Sequence, residues 1–394
     1  MRILIAHAFH RLPGGENRYV ERQMELLGKQ HDVQLLERSN THLPQKARTA
    51  AAMAYSRAAV GEVVDAISSF GPDIVHLHNP YPAFGPAVHL ACRRTKTPLI
   101  QTIHNFRLRC PNGLMFTEGK NCTRCLGGNY AHSLMHGCFP TRTQAAGYAG
   151  ALWMHRVGLR LERHVDAFIA PSRFMRERLL SWGIGAGRIA TIPNFINEEP
   201  RATSAAGSYG LYLGRLVPEK GVDVLIDALR GADDPPFVIA GTGPEHGALV
   251  DRAARLGLRG VRFAGMVPEQ DARSLVEDAR YVVVPSLWDE NAPLSALEAM
   301  ALGRPLIAAS NGGLRELVAT GAGLAFPTGD ATLLAVAIRH LQNDTSRCEE
   351  LGTAGLRAVT DTYGASAHRR ELEALYGALT ASRRRGDAPL LRTI

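Results

Sequence analysis

Lysine is nearly absent: among 394 residues it stands only at positions 29, 46, 96, 120 and 220, so the net charge of +8 is carried by arginine. The arginines are scattered and no DNA- or RNA-binding motif accompanies them, which sets nucleic acid aside as a partner. What remains for an excess of positive charge is an anionic ligand or an anionic membrane face. No apolar run reaches the ~18 residues needed to cross a bilayer. The opening segment, Met1 to Phe9, is too short for a signal peptide and lacks a small-residue cleavage site. A cytoplasmic protein is therefore expected, with the inner face of the membrane as a further station. Cysteine is sparse, with 6 residues, and no short-period repeat or low-complexity tract stands out. With 45% hydrophobic and 21% charged residues the chain is globular, and its length favours two domains.

Short apolar runs alternate with helical patterns throughout, the signature of parallel sheets covered by helices on both faces. Strands are expected near Ile3–Ala8, Val33–Glu37, Ile74–His78, Leu99–His104, Ala167–Ala170 and Ile189–Ile192. After a polar, small-residue stretch the alternation resumes at Leu211–Gly214, Phe237–Ala240, Val261–Ala264, Tyr281–Pro285, Leu306–Ala309 and Leu324–Phe326. The expected division is a first α/β domain over 1–195 with an insertion at 105–142, a linker at 196–208, and a second α/β domain over 209–362. A helix at 363–382 would pack back on the first domain, followed by a basic tail at 383–394. Both domains are expected to be doubly wound, with ligand binding at the carboxyl ends of their strands and in a cleft between them.

The most specific stretch follows the strand at Tyr281. Glu290 lies in the strand-to-helix loop, and Glu298 lies more than a turn along the helix that Pro293 opens, since a missing N–H is harmless at a first helical position. At ~1.5 Å per helical residue the two carboxylates are about 10 Å apart, which suits two ends of one extended ligand. A retaining glycosidase pair would need about 5 Å. Four further features fit an anionic ligand. Pro13-Gly14-Gly15-Glu16 opens a helix directly after the first strand, where bare backbone and helix-terminal N–H groups attract phosphate. Arg215 and Lys220 put two cations at a strand end and a helix start, able to neutralise a diphosphate. Gly241 and Gly243 form a glycine turn after a buried strand. His104 ends an apolar strand at the expected cleft edge, where a histidine is a structural hydrogen bonder or a catalyst.

Together these residues resemble the retaining glycosyltransferase family 4, whose members have the GT-B fold. Glu290-x7-Glu298 is similar to its paired-glutamate signature, Arg215 and Lys220 to its diphosphate-binding pair, and Gly14-Gly15 to its amino-terminal glycine loop. Residues 71–140, with Asp73-Ile74-Val75-His76-Leu77-His78-Asn79 and Thr102-Ile103-His104-Asn105-Phe106-Arg107, further resemble a subgroup common in bacterial surface-polysaccharide clusters. The resemblance implies transfer of a sugar from a nucleoside diphosphate sugar to a sugar, lipid-linked glycan or small-molecule acceptor. Glu290 would hold donor hydroxyls, helped by backbone amides of Asn291, Ala292 and Leu294, and Glu298 would hold the ribose. Arg215 and Lys220 would stabilise the departing diphosphate, and His104 would sit beside the sugar. No metal is implied for the chemistry, in keeping with the lack of an Asp-x-Asp motif, and no cofactor is required. Glu16 directly after Gly15 and Asn105 after His104 depart from the commonest pattern on the acceptor side. A nucleotide-sugar epimerase and a noncatalytic binding protein are the alternative functions.

Cys110, Cys122, Cys125 and Cys138 fall within the insertion. One Cys-x-x-Cys with two flanking cysteines allows a four-thiolate structural zinc site that would order a long polar loop, with free thiols or a disulfide as the other states. His76 and His78 share one strand face, for substrate hydrogen bonding on the acceptor side or for packing. Between Thr141 and His164, helical spacing gathers Tyr148, Leu152, Trp153 and Val157 near Arg142, Arg156, Arg160 and Arg163, a stripe for core packing or for peripheral membrane contact.

Overall fold

The computed structural model describes residues 1–9, 14–39, 53–202 and 207–385. Pro13 of the glycine loop, part of the linker at 203–206 and most of the tail, 386–394, lie outside the described residues. The chain forms two compact units. One comprises Met1–Glu118, Cys122–Pro193 and the chain from His368 onward, and the other comprises Gly119–Asn121 and Asn194–Ala367.

The first unit is built on a parallel sheet of six strands: β1 (Arg2–Phe9), β2 (Asp32–Ser39), β3 (Ile74–Leu77), β4 (Leu99–Thr102), β5 (Ala167–Ala170) and β6 (Ile189–Thr191). Their order is β2-β1-β3-β4-β5-β6. The second unit repeats the plan with β7 (Tyr209–Leu213), β8 (Phe237–Ala240), β9 (Val261–Gly265), β10 (Ala279–Val284), β11 (Leu306–Ala309) and β12 (Gly323–Phe326). Here the order is β9-β8-β7-β10-β11-β12. Both orders reverse direction beside the first strand of the sheet, the arrangement of doubly wound folds. The central strands are covered on both faces: β3, β4, β5, β8 and β11 are buried at every position, the polar His76, Gln101 and Thr102 included.

Helix boundaries follow local chemistry. Helix α1 (Gly15–Gly28) starts directly after Gly14, and α2 (Arg57–Phe70) starts at Ser56, whose hydroxyl accepts the Ala59 N–H at 3.2 Å. Helix α2 stops at Gly71, which takes the left-handed conformation. In the second unit α4 (Val222–Gly231) and α5 (Leu294–Ala301) follow β7 and β10, after α3 (Arg142–Trp153) of the insertion region. Leu225, Ile226 and Leu229 of α4 join Phe237, Ile307, Leu334 and Ile338 in that unit's core.

Several expectations change. Strand β4 ends at Thr102, so His104 lies two residues beyond it in the following loop. Pro293 is the cap of α5, with extended backbone, and Leu294 is the first helical residue. The last helix, α6, runs from Ala365 through Arg385 with no breaker to stop it earlier. Arg383 is therefore helical, donating to the Lys96 carbonyl at 3.2 Å and to Asp166 at 3.1 Å. Residues 196–202 and 207–208 are not a free linker: Ile196 N–H donates to Tyr363, Arg201 N–H to Ala301 and Ser208 N–H to Asp278, all within the second unit. The stripe between Thr141 and His164 does not form one face. Leu152 is buried at 4% exposure while its neighbour Trp153 stands at 51% and Val157, within a π-turn over Met154–Gly158, at 49%. Among the described residues no helix is long and apolar enough to cross a membrane.

Candidate active site

The carboxyl ends of β7, β8 and β10 carry three loops laced together by backbone contacts. Gly214 N–H donates to the Ala240 carbonyl at 3.0 Å, Leu216 N–H to Thr242 at 2.9 Å, and Glu245 N–H to Leu216 at 3.1 Å. Gly241 sits at φ 141°, and a Cβ there would come within 1.8 Å of the Gly214 carbonyl oxygen. The turn glycines Gly241 and Gly243 are thus required by the approach of two backbones. The loop after β10 is tied to the loop after β7, since the Leu287 N–H donates to the Glu219 carbonyl at 2.9 Å.

Within this frame Glu290 is 4% exposed and Ser286 fully buried. Glu290 Oε1 accepts from Lys220 Nζ at 2.5 Å and from the Ser286 hydroxyl at 2.6 Å. The Ser286 carbonyl in turn accepts from Asn311 Nδ2 at 2.5 Å, and the Glu290 carbonyl from the Gly313 N–H at 2.6 Å. Burial pushes the Glu290 carboxyl up. The Lys220 ammonium beside it, with Ser286 and Trp288, outweighs that effect and holds it below the usual carboxylate range. Lys220 also lies 5.6 Å from the centre of the Trp288 ring. Arg215 differs: its side chain is 50% exposed and its nearest carboxylate, Glu219, is 3.6 Å away. Asn291 and Leu294 are buried, and the Ala292 carbonyl accepts from Asn194 Nδ2 at 2.9 Å. Glu298 is part-buried on α5.

In the first unit the residues singled out by sequence gather past the carboxyl ends of β3 and β4. His76 is fully buried, with Nδ1 bonded to Tyr376 Oη at 2.6 Å and Nε2 to Thr102 Oγ1 at 2.7 Å. Both nitrogens are taken, so His76 packs and positions, and it leaves no ring nitrogen for a substrate. His78 stacks on His76, centroids 4.3 Å apart, and its Nδ1 bonds His104 Nε2 at 3.0 Å. Burial, reinforced by neighbouring imidazoles, lowers His76 to about 3 and His78 well below the ordinary histidine value. Asn105 Nδ2 donates to Glu16 Oε2 at 3.4 Å, joining the two positions that depart from the common pattern. Gly14 and Gly15 lead into α1, Gly15 exposed.

Sequence reading missed four members of this cluster. His7 bonds Asn17 at 3.0 Å, and Tyr19 bonds His368 Nε2 at 3.1 Å and lies 4.9 Å from the His104 ring. Tyr376 is the fourth. The spacing of His368, Leu372, Tyr376 and Leu379 marks one helical face and was the available signal. In the second unit Ser286 and Asn311 were missed, although Ser286 precedes Glu290 by one turn-length. Cys110, Cys122, Cys125 and Cys138 all line one cavity in the insertion.

A family model described as Glycosyltransferase Family 4 matches residues 13–200, and one described as Glycosyl transferases group 1 matches residues 201–357. The chain is 29% identical over 310 residues to glycogen synthase of Mycobacterium tuberculosis, a stretch covering 75% of this chain and 66% of that protein. It therefore spans just under two thirds of that relative's length. Among solved structures it is similar to sucrose-phosphate synthase from Thermosynechococcus elongatus, with a TM-score of 0.73, 20% identity, and coverage of 97% of this chain and 99% of that one. It is also similar to Anabaena HepE in complex with UDP-glucose, with a TM-score of 0.68, 21% identity, and coverage of 96% and 100%. These likenesses establish a GT-B fold with two Rossmann-like domains.

Proposed function

The chain belongs to glycosyltransferase family 4, and from that premise we propose that it moves a hexose-type sugar from a nucleoside diphosphate sugar to a hydroxyl acceptor, retaining anomeric configuration. The observation that carries this reading is the cluster of Lys220, Ser286 and Glu290 at the carboxyl edge of the second sheet. Glu290, kept ionised, is an acceptor for donor-sugar hydroxyls, and Glu298 is assigned the ribose. The Asn291, Ala292 and Leu294 amides are assigned to the sugar, beside a backbone that Gly241 and Gly243 keep bare. UDP-glucose bound by HepE supports a donor of this class.

In the reaction the bond from C1 to the phosphate oxygen breaks and its electron pair leaves with the diphosphate. Arg215 and Lys220 neutralise that charge, an effect worth several kcal/mol when the cations are preorganised. The acceptor oxygen bonds to C1 on the same face, and its proton passes to a phosphate oxygen of the departing diphosphate. No metal takes part in this scheme. His104, held by His78, is assigned in this reading to the sugar and leaving group, and Glu16 and Asn105 to the acceptor. The setting is glycan or glycoconjugate assembly in the cytoplasm, with a lipid-linked surface glycan as the default acceptor.

The test is a panel of nucleotide sugars ranked by calorimetric binding, followed by incubation of the best donor with candidate acceptors and NMR of the product's anomeric proton. Transfer with retained configuration, without any added divalent metal, is expected. An epimerised donor in the absence of acceptor, an inverted product, or binding without turnover on any acceptor would each overturn the reading.

A further inference from the structure

The insertion after β4 holds four of the chain's 6 cysteines. Cys110, Cys122, Cys125 and Cys138 line a single cavity of about 10 Å³, with His132 and His136 on its wall. That volume admits one water-sized occupant. It is the scale of a single ion. The insertion's apolar packing is divided between a small cluster of Cys125, Tyr130, Ala149 and Leu152, with Leu134 against them, and the buried Phe106, Met115 and Phe116.

Polar groups face the sulfurs, and the Cys110 thiol donates to Asn112 Oδ1 at 2.9 Å. Backbone N–H groups of Met115, Gly113 and Asn112 face Cys110, and that of Ser133 faces Cys125. The Thr117 hydroxyl lies against Cys138, and Arg124 Nη1 is 3.9 Å from Cys122 Sγ. Donors aimed at sulfur are the outer shell that a metal-bound thiolate uses. All four cysteines are free thiols. His136 Nδ1 is engaged with Glu118 at 2.9 Å.

We propose that Cys110, Cys122, Cys125 and Cys138 form a four-thiolate site for one zinc ion that orders the insertion. Four S–H bonds are exchanged for four Zn–S bonds, and four protons pass to solvent. The resulting negative charge lies beside the Arg124 guanidinium. Among the described residues no three histidine, cysteine or acidic side chains already converge closely enough to hold an ion, so loading requires the thiols to turn inward about χ1. Tetrahedral four-sulfur coordination selects zinc among single divalent ions.

The experiment uses the full chain, purified without a metal-affinity tag or added metal. Elemental analysis should return about one zinc per chain. Native-state alkylation read by mass spectrometry should spare these four cysteines until a chelator is added. Cys122→Ser with Cys125→Ser should lose the zinc, whereas Cys92→Ser with Cys348→Ser should keep it. Substituted cobalt should give a thiolate-to-metal charge-transfer band. Should the Cys122→Ser, Cys125→Ser variant not fold, the metal content and chelator-dependent alkylation of the unmodified chain still decide. Metal-free protein, alkylation of the four indifferent to chelator, or disulfide-linked peptides among them would overturn the proposal.

Discussion

Lys220 Nζ lies 2.5 Å from Glu290 Oε1, and the two side chains are 17% and 5% exposed. The pair is dry enough that neither charge is satisfied by water alone, and each sets the other's state. Lys220→Met should leave a buried carboxylate without its cation and lower the stability of the second unit by about 3 kcal/mol or more. Adding Glu290→Gln should return part of that loss, because the uncompensated charge goes with it. Urea unfolding of the two single variants and the double variant gives the coupling energy. Additive losses would show that the two groups do not act as a pair.

Arg215 is the contrasting cation. Its side chain is half exposed and its ion pair with Glu219 is 3.6 Å long, a class of contact worth about 1 kcal/mol or less. Arg215→Ala should therefore leave the unfolding midpoint nearly unchanged while lowering kcat by about 10²-fold, the usual loss for one electrostatic stabiliser. A variant that keeps wild-type turnover would remove Arg215 from the diphosphate site.

The histidine cluster makes the first unit acid-sensitive in a defined direction. Burial lowers His76 and His368 from 6.5 to about 3, and lowers His78 well below 6.5. The unfolded chain then takes up protons first. Stability from these groups is complete above pH 6.5 and falls as the pH drops toward the folded values. Each histidine contributes a slope of about 1.4 kcal/mol per pH unit, so the three together give up to about 4. Urea unfolding between about pH 7.5 and pH 5.5 measures it, and His76→Gln should flatten the slope. A profile that is level across this range would contradict the buried neutral cluster.

Much of this is legible in the sequence, for physical reasons that also mark where reading fails. The strands β5, β8 and β11 are apolar at every position and β3 at all but His76, so a short run bounded by turns locates them within a residue or two. The loop between β10 and α5 stands out because its carboxylates have a spacing that packing alone does not demand. Ser286 and Asn311 are invisible there because their role depends on how β10 and β11 lie side by side, which no local pattern encodes. The stripe near Trp153 misleads because Leu152 and Trp153, adjacent in one helix, face different ways, and the regular 3.6-residue period does not continue across the π-turn to Val157. Helix α6 outruns its expected end at 382, since composition suggests a frayed tail where continued helical geometry places Arg383 against Asp166.

Gly241 distinguishes a residue needed for the frame from one needed for the ligand. Its φ of 141°, and the 1.8 Å that would separate an added methyl carbon from the Gly214 oxygen, leave no room for a side chain. Gly241→Ala must push the loops after β7 and β8 apart, with strain and overpacking together costing about 3 kcal/mol or more. Because Lys220 and Arg215 ride on the same β7 loop, donor affinity should fall with stability, in contrast to Arg215→Ala, where it falls alone. Comparing calorimetric donor binding with urea unfolding for the two variants separates the cases. A Gly241→Ala chain of wild-type stability that fails only in binding would make this glycine a ligand contact and nothing more.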